Sequence, residues 1–226
     1  MTGVFDSGVG GLTAYRELRR LLPSEDIIYL ADSKNAPYGT KTKDELIALT
    51  KKDIKRLLEM GAQRILIACC TASTVWCELD ECERAISTPI ITPASRVAAG
   101  GERIAVIATE HTVRSSAFGR EIRRFSPTAE IFEQAEQRLV ALVEGGCRDG
   151  RLSSECLGEL EKITDWVTGI NADTLVLGCT HFSHLEMTLG RMLPGVKIIS
   201  PAREGAIALA RKYENTHRER GKAVYT

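Results

Sequence analysis

The chain has 226 residues, 43% of them hydrophobic and 27% charged, which fits one large folded domain or two small ones and excludes a disordered or fibrous chain. Its 30 basic and 30 acidic residues cancel, and a polyanion such as nucleic acid wants a basic excess, so no nucleic-acid partner is expected. The longest apolar runs, such as Ile65 to Cys70, are strand-sized, so no membrane span is predicted.

The start, Met1-Thr2-Gly3-Val4-Phe5-Asp6, shows no basic segment followed by an apolar core. No signal peptide is read there, and the expected location is the cytoplasm. Seven cysteines, an odd number in a chain where no leader is read, predict free thiols rather than a disulfide framework.

Short β-branched runs alternate with longer amphipathic stretches. Thr2 to Phe5 reads as a strand, followed by Leu12, Tyr15, Leu18 and Leu22 at helical spacing. Ile27 to Leu30 predicts a second strand, and Lys43 to Met60 a helix with Leu46, Ile47, Ile54, Leu57 and Leu58 on or near one face. Arg64 to Ala68 is almost wholly apolar, as a strand covered on both sides requires. Thr88 to Ile91 reads as another short strand.

A second series follows. Strands are expected at Arg103 to Ala108, Ala129 to Phe132, Thr174 to Gly178 and Val196 to Ile199. Helices are expected at Thr112 to Arg124, Arg138 to Glu144, Ser153 to Thr168 and Glu204 to Tyr213. Alternating elements of this kind predict an α/β fold with parallel sheets.

The two series resemble each other. Ile65-Leu66-Ile67-Ala68-Cys69-Cys70-Thr71 returns in outline as Leu175-Val176-Leu177-Gly178-Cys179-Thr180, and Val4-Phe5-Asp6-Ser7 has a looser counterpart in Val106-Ile107-Ala108-Thr109. A period of about a hundred residues is too long for a solenoid. It fits two similar, pseudo-symmetric halves facing each other across a cleft. Residues 1–94 with 200–226 are assigned to the first half and 95–199 to the second. The boundary is placed in the Pro/Ser/Gly cluster from Pro93 to Gly101.

Ligands of open α/β sheets bind beyond the carboxyl ends of the strands. Cys69 and Cys179 each end an apolar strand just before an expected helix, where the helix N-terminus favours a thiolate. A lone strand-end cysteine is more often a buried packing residue. Two in repeated positions suggest a symmetric pair, one base and one acid on opposite faces of a carbon, which is what a racemase requires. His181, two residues after Cys179, is a candidate proton partner for that thiol.

The loop Phe5-Asp6-Ser7-Gly8-Val9-Gly10-Gly11-Leu12 does not have the G-x-G-x-x-G spacing of a dinucleotide site. It reads as a tight turn bringing Asp6 and Ser7 to the cleft. Ala36-Pro37-Tyr38-Gly39-Thr40 is a turn by composition, with Tyr38 placed to offer a phenol to a ligand. Cys69-Cys70 is vicinal rather than C-x-x-C. The pair Cys77 and Cys82 has no second pair at metal-like spacing, so no metal site is read.

These motifs together resemble the glutamate racemases of the aspartate/glutamate racemase superfamily. Four match in order: Gly3 to Thr13, Pro37-Tyr38-Gly39-Thr40, Ala68-Cys69-Cys70-Thr71-Ala72-Ser73, and Gly178-Cys179-Thr180-His181. Asp32, Leu142-Val143-Glu144 and Ser200-Pro201-Ala202-Arg203-Glu204 also fit. The resemblance implies two α/β domains with an acidic amino acid held between them. It implies catalysis by Cys69 and Cys179, with Asp6 and His181 tuning the thiols and Glu144 assisting His181. The substrate head group would meet Asp6, Ser7, Thr71 and Thr180, while Tyr38 and Gly39 would hold the side-chain carboxylate. Neither pyridoxal phosphate nor metal is implied. The family's D-glutamate feeds peptidoglycan synthesis, and many members are homodimers.

Cys70 departs from the pattern, which has asparagine after the first cysteine. An amide offers two donors and an acceptor, a thiol one weak donor, so a head-group contact is lost or passed to water. Three outcomes stay open: glutamate racemisation with altered affinity, racemisation of aspartate or another acidic amino acid, and a non-catalytic amino-acid-binding homologue.

Overall fold

The computed structural model describes residues 1–220, leaving out the side chains of 214–220. The elements in chain order are β1 (Thr2–Asp6), α1 (Leu12–Leu21), β2 (Ile27–Ala31), α2 (Lys43–Glu59), β3 (Arg64–Ile67), α3 (Cys70–Ser73), α4 (Glu81–Ile86), β4 (Ser87–Pro89) and α5 (Ile91–Ala98). They continue with β5 (Arg103–Ala108), α6 (Glu110–Arg114), α7 (Ala117–Phe125), β6 (Glu130–Ala135), α8 (Gln137–Glu144), α9 (Ser154–Gly169), β7 (Thr174–Gly178), α10 (Glu186–Met192), β8 (Lys197–Ile199) and α11 (Pro201–Arg220). Short 3-10 turns occupy Tyr38–Thr40, Trp76–Glu78 and Thr180–Leu185.

Two four-stranded parallel sheets form, in the orders β2-β1-β3-β4 and β6-β5-β7-β8. The same order in both bears out the α/β reading and the two-fold repeat. Strand alternation assigns the faces. Phe5, Ile65 and Ile67 pack under α2 with Leu46, Ile54 and Leu57. Val4 and Leu66 point the other way, into a core shared with Val106 and Val176 of the second sheet and lined by α1, α5, α7 and α11. Leu175 and Leu177 bury their far side against α8, α9 and α10. Helices therefore cover both faces of each sheet, which is why the central strands read as unbroken apolar runs.

Local chemistry fixes the helix ends. Thr42 caps α2 by accepting from the Glu45 N–H while the Glu45 carboxylate takes the Thr42 N–H, a reciprocal capping box. Gly61, with φ of +94°, ends the same helix in the left-handed conformation that glycine tolerates. Leu58, expected on or near the apolar face, is exposed.

Two expectations are corrected. The strand expected from Thr88 to Ile91 lies at Ser87–Pro89, because Ile90 already caps α5. The single helix expected from Thr112 to Arg124 is two, broken where Ser116 adopts φ of +47°. The Pro93–Gly101 cluster is mostly helix: α5 runs through Pro93, whose position in the first turn needs no N–H donor. Helix α11 packs on α1, α5 and β4; positions 221–226 of the first-half assignment lie outside the described residues. Among the described residues, no helix is long and apolar enough to cross a membrane.

Candidate active site

The sheets bring equivalent positions of the two halves to one place. Ser7 and Cys69 follow β1 and β3, which pair through Phe5 and Ile67. Thr109 and Cys179 each come one residue after the paired Ala108 and Gly178. Asp32 and Glu136 follow the outer strands, and their backbone N–H groups donate to Asp6 O at 3.0 Å and Ala108 O at 2.8 Å. Each half thus presents a hydroxyl, a thiol and a buried acid at the same strand ends.

Both thiols line one cavity. Its walls include Ser7, Cys69, Cys70 and Thr71 from the first half and Thr109, Cys179, Thr180 and His181 from the second. Its volume is 40 Å³, room for a few waters at most and far below the roughly 300 Å³ at which ligand sites begin. The halves are therefore closed on each other.

Cys69 caps α3. The Ala72 N–H donates to its sulfur at 3.5 Å, and its S–H donates to Ser7 Oγ at 3.6 Å. Burial, then the nearby charge of Asp6, pushes this thiol up to about 12. Cys179 Sγ lies 3.5 Å from His181 Nδ1, and burial raises this thiol too. Both are therefore S–H groups in the closed, resting site.

Asp6 is wholly buried. Its Oδ2 accepts the Gly8 and Gly11 N–H groups, each at 3.0 Å. Its Oδ1 has no hydrogen-bond partner among the described residues. Burial raises its pKa, opposed by the charge of His181, the two backbone donors and the Cys69 thiol. An orphaned carboxylate oxygen beside a thiol is costly to bury, and it suits an incoming cation or a mobile proton. His181 Nε2 comes within 3.3 Å of the exposed Glu144 carboxylate, but outside hydrogen-bonding geometry.

The first-half loop reaches across to the second. A side-chain carbon on Gly10 would sit 2.6 Å from Thr180 Oγ1 and 2.9 Å from His181 Nδ1. Only a glycine permits this approach.

Comparison with known proteins agrees with this geometry. Residues 10–209 match the Asp/Glu/Hydantoin racemase family. The chain belongs to that family. It is 38% identical to a glutamate racemase of Gloeobacter violaceus, over 92% of this chain and 78% of that protein. A Desulforudis audaxviator glutamate racemase is 39% identical over 88% of this chain and 74% of its own length. The crystal structure of Francisella tularensis glutamate racemase in complex with D-glutamate superposes with a TM-score of 0.82 at 28% identity, covering 95% of this chain and 81% of that one.

Within this racemase-family site, most residues singled out in the sequence meet at the cavity wall: Ser7, Tyr38, Gly39, Cys69, Cys70, Thr71, Glu144, Cys179, Thr180 and His181. Asp6 stands directly behind them, beneath Gly11. The Tyr38 phenol lies 2.8 Å from both Asp32 Oδ2 and Asp53 Oδ2, a donor between two buried carboxylates. Thr71 Oγ1 lies 3.2 Å from Thr109 Oγ1 and 3.4 Å from Thr112 Oγ1, joining the halves through hydroxyls.

Sequence reasoning missed Thr109, Gln137 and Val140 in the cavity wall. The repeat already paired Thr109 with Ser7. Gln137, Val140 and Glu144 are spaced i, i+3 and i+7 on α8 and so share a helix face. All seven cysteines are free. Among the described residues, no group of three or more His, Cys, Asp or Glu is arranged to hold a metal ion.

Proposed function

We propose that this chain interconverts L- and D-glutamate without a cofactor, using Cys69 and Cys179 as its two acid–base groups. The observation that carries the reading is the placement of two strand-end thiols, one from each half, on the wall of one buried cavity.

Each thiol is neutral at rest, so a thiolate must be made as substrate binds. The substrate's α-ammonium, drawn to the orphaned Asp6 Oδ1, brings a positive charge that favours thiolate. Asp6 serves as proton acceptor on the Cys69 side and His181 on the Cys179 side, with Glu144 steadying His181. One thiolate then removes the α-proton from its face of the carbon. The electron pair left behind spreads into the α-carboxylate, and the facing S–H delivers its proton to the opposite face. The thiols end with exchanged protonation, which is the starting state for the reverse reaction.

Ser7, Thr71 and Thr180 hydroxyls and the Cys70 thiol receive the head group, and Tyr38 and Gly39 hold the side-chain carboxylate. The enzyme acts in the cytoplasm as a homodimer and supplies D-glutamate for peptidoglycan. The family match and its glutamate-racemase relatives support the substrate.

The test is incubation with L-glutamate in D₂O without added cofactor. Loss of optical rotation with deuterium entering at the α-carbon is the expected result. Exchange of aspartate alone would replace the substrate, and exchange of neither would end the racemase reading.

A further inference from the structure

The closed cavity has no room for an amino acid, yet it adjoins a second cavity of 310 Å³ that shares Glu144 and His181 with it. That outer chamber lies between the halves. Arg16 of α1 faces it from one side, and Arg148, in the loop after α8, faces it from the other. Both guanidinium groups are exposed, and neither has an ion-pair partner among the described residues. They converge on His184, half-buried in the same wall, where burial, His181 and then the two arginines hold the imidazole below its ordinary range.

Neither acid nearby forms an ion pair with these arginines among the described residues. Asp149 is taken up by the Met187 and Thr188 N–H groups and the Thr188 hydroxyl. Glu144 stands beside His181. Two like charges that face one chamber from opposite halves, neither held in an ion pair, cost free energy in the closed state. Such an arrangement is repaid when an anion comes between them.

We propose that the outer chamber is the entrance to the active site and that Arg16 and Arg148 form a capture site for the carboxylates of an incoming acidic amino acid. This rests on the reading of the inner cavity as a racemase site. The arginines draw in a net-negative ligand, and the halves part to pass it to Cys69 and Cys179. Val9, exposed at the rim and facing the same chamber, marks the first-half lip that must move.

Two measurements on the full-length protein test this. The first is the rate at which anionic iodoacetate and neutral iodoacetamide alkylate Cys69 and Cys179, located by peptide mass spectrometry, in wild type, Arg16→Glu, Arg148→Glu and the double variant. The iodoacetate-to-iodoacetamide ratio should fall about tenfold in the double variant at low salt and return toward a common value in 0.5 M salt, given a Debye length of only several ångströms there. The second is kcat/KM for glutamate, which should fall by a similar factor, more through KM than kcat. An unchanged alkylation ratio overturns the capture site whatever the racemase assay shows. A changed ratio in a protein that does not exchange α-protons keeps the anion entrance and removes the glutamate reading instead.

Discussion

Tyr38 and Asp53 share a 2.8 Å hydrogen bond inside the first half, and Asp32 meets the same phenol at 2.8 Å. A phenol has one proton to give, so two carboxylates around it cannot both be satisfied as anions. Burial, with the neighbouring Asp32 charge adding to it against the Tyr38 bond and the pull of Lys52 and Arg56, pushes Asp53 up to about 6. Protonated Asp53 can donate to the Tyr38 oxygen while Tyr38 donates to Asp32. The loop Ala36–Gly39, part of the cavity wall, hangs from this chain of bonds.

The sign of the pH effect follows. Asp53 has a higher pKa folded than unfolded, so its contribution is complete below about pH 4 and lost as pH rises through about 6. Asp53→Asn, which cannot ionise, should leave thermal stability near pH 4.5 little changed and raise it at pH 8 by about 2 kcal/mol, a few degrees in Tm. Melting curves across that range check it; a wild type and variant that run parallel at every pH would remove the shared proton.

Replacing either sulfur should stop racemisation. Cys69→Ser and Cys179→Ser are each expected to lower kcat by about 10³-fold or more, since a serine hydroxyl is a far weaker acid than a thiol. Cys70→Ser should keep most of the activity. An active Cys69→Ser with a silent Cys70→Ser would shift the reacting position by one residue.

The proposed division of Asp6 and His181 between the two thiols can be tested, and the racemic equilibrium constrains how their loss is seen. Enantiomers are equal in free energy, so kcat/KM must fall by the same factor in both directions in Asp6→Asn and in His181→Asn. A loss of about 10²-fold is expected for each. The distinction lies in the isotope effect of α-deuterated substrate. It should rise in one direction for Asp6→Asn and in the other for His181→Asn. Matching changes in both variants would mean that the two residues do not divide the thiols between them.

Gly10→Ala should hold the halves apart, because the new methyl would meet Thr180 and His181 at 2.6–2.9 Å. Activity is expected to drop more than tenfold with fold and secondary structure retained, at a stability cost of about 1–3 kcal/mol. At Gly8 nothing lies within 4 Å of an added carbon, and Gly8→Ala should be tolerated. Circular dichroism and racemase rates on the two variants decide it. Equal rates would show that closure does not depend on this contact.

Periodicity, strand-end chemistry and repetition are local properties of a chain, and they determined much here. The apolar runs ending in Cys69 and Cys179 had to be covered strands, and their recurrence implied two alike halves with thiols at matching ends. The glycine loop after Asp6 was legible because its spacing excluded a dinucleotide and left only a tight turn. Other features depend on which distant residues come to share a space, and only the tertiary structure decided them. Nothing local to Tyr38 showed that folding would place Asp53, from the middle of a helix, against its hydroxyl. Thr109 and Gln137 become cavity residues only because the second sheet is turned toward the first. The break at Ser116 was hidden, since helix-compatible residues on either side do not show where the backbone turns to positive φ.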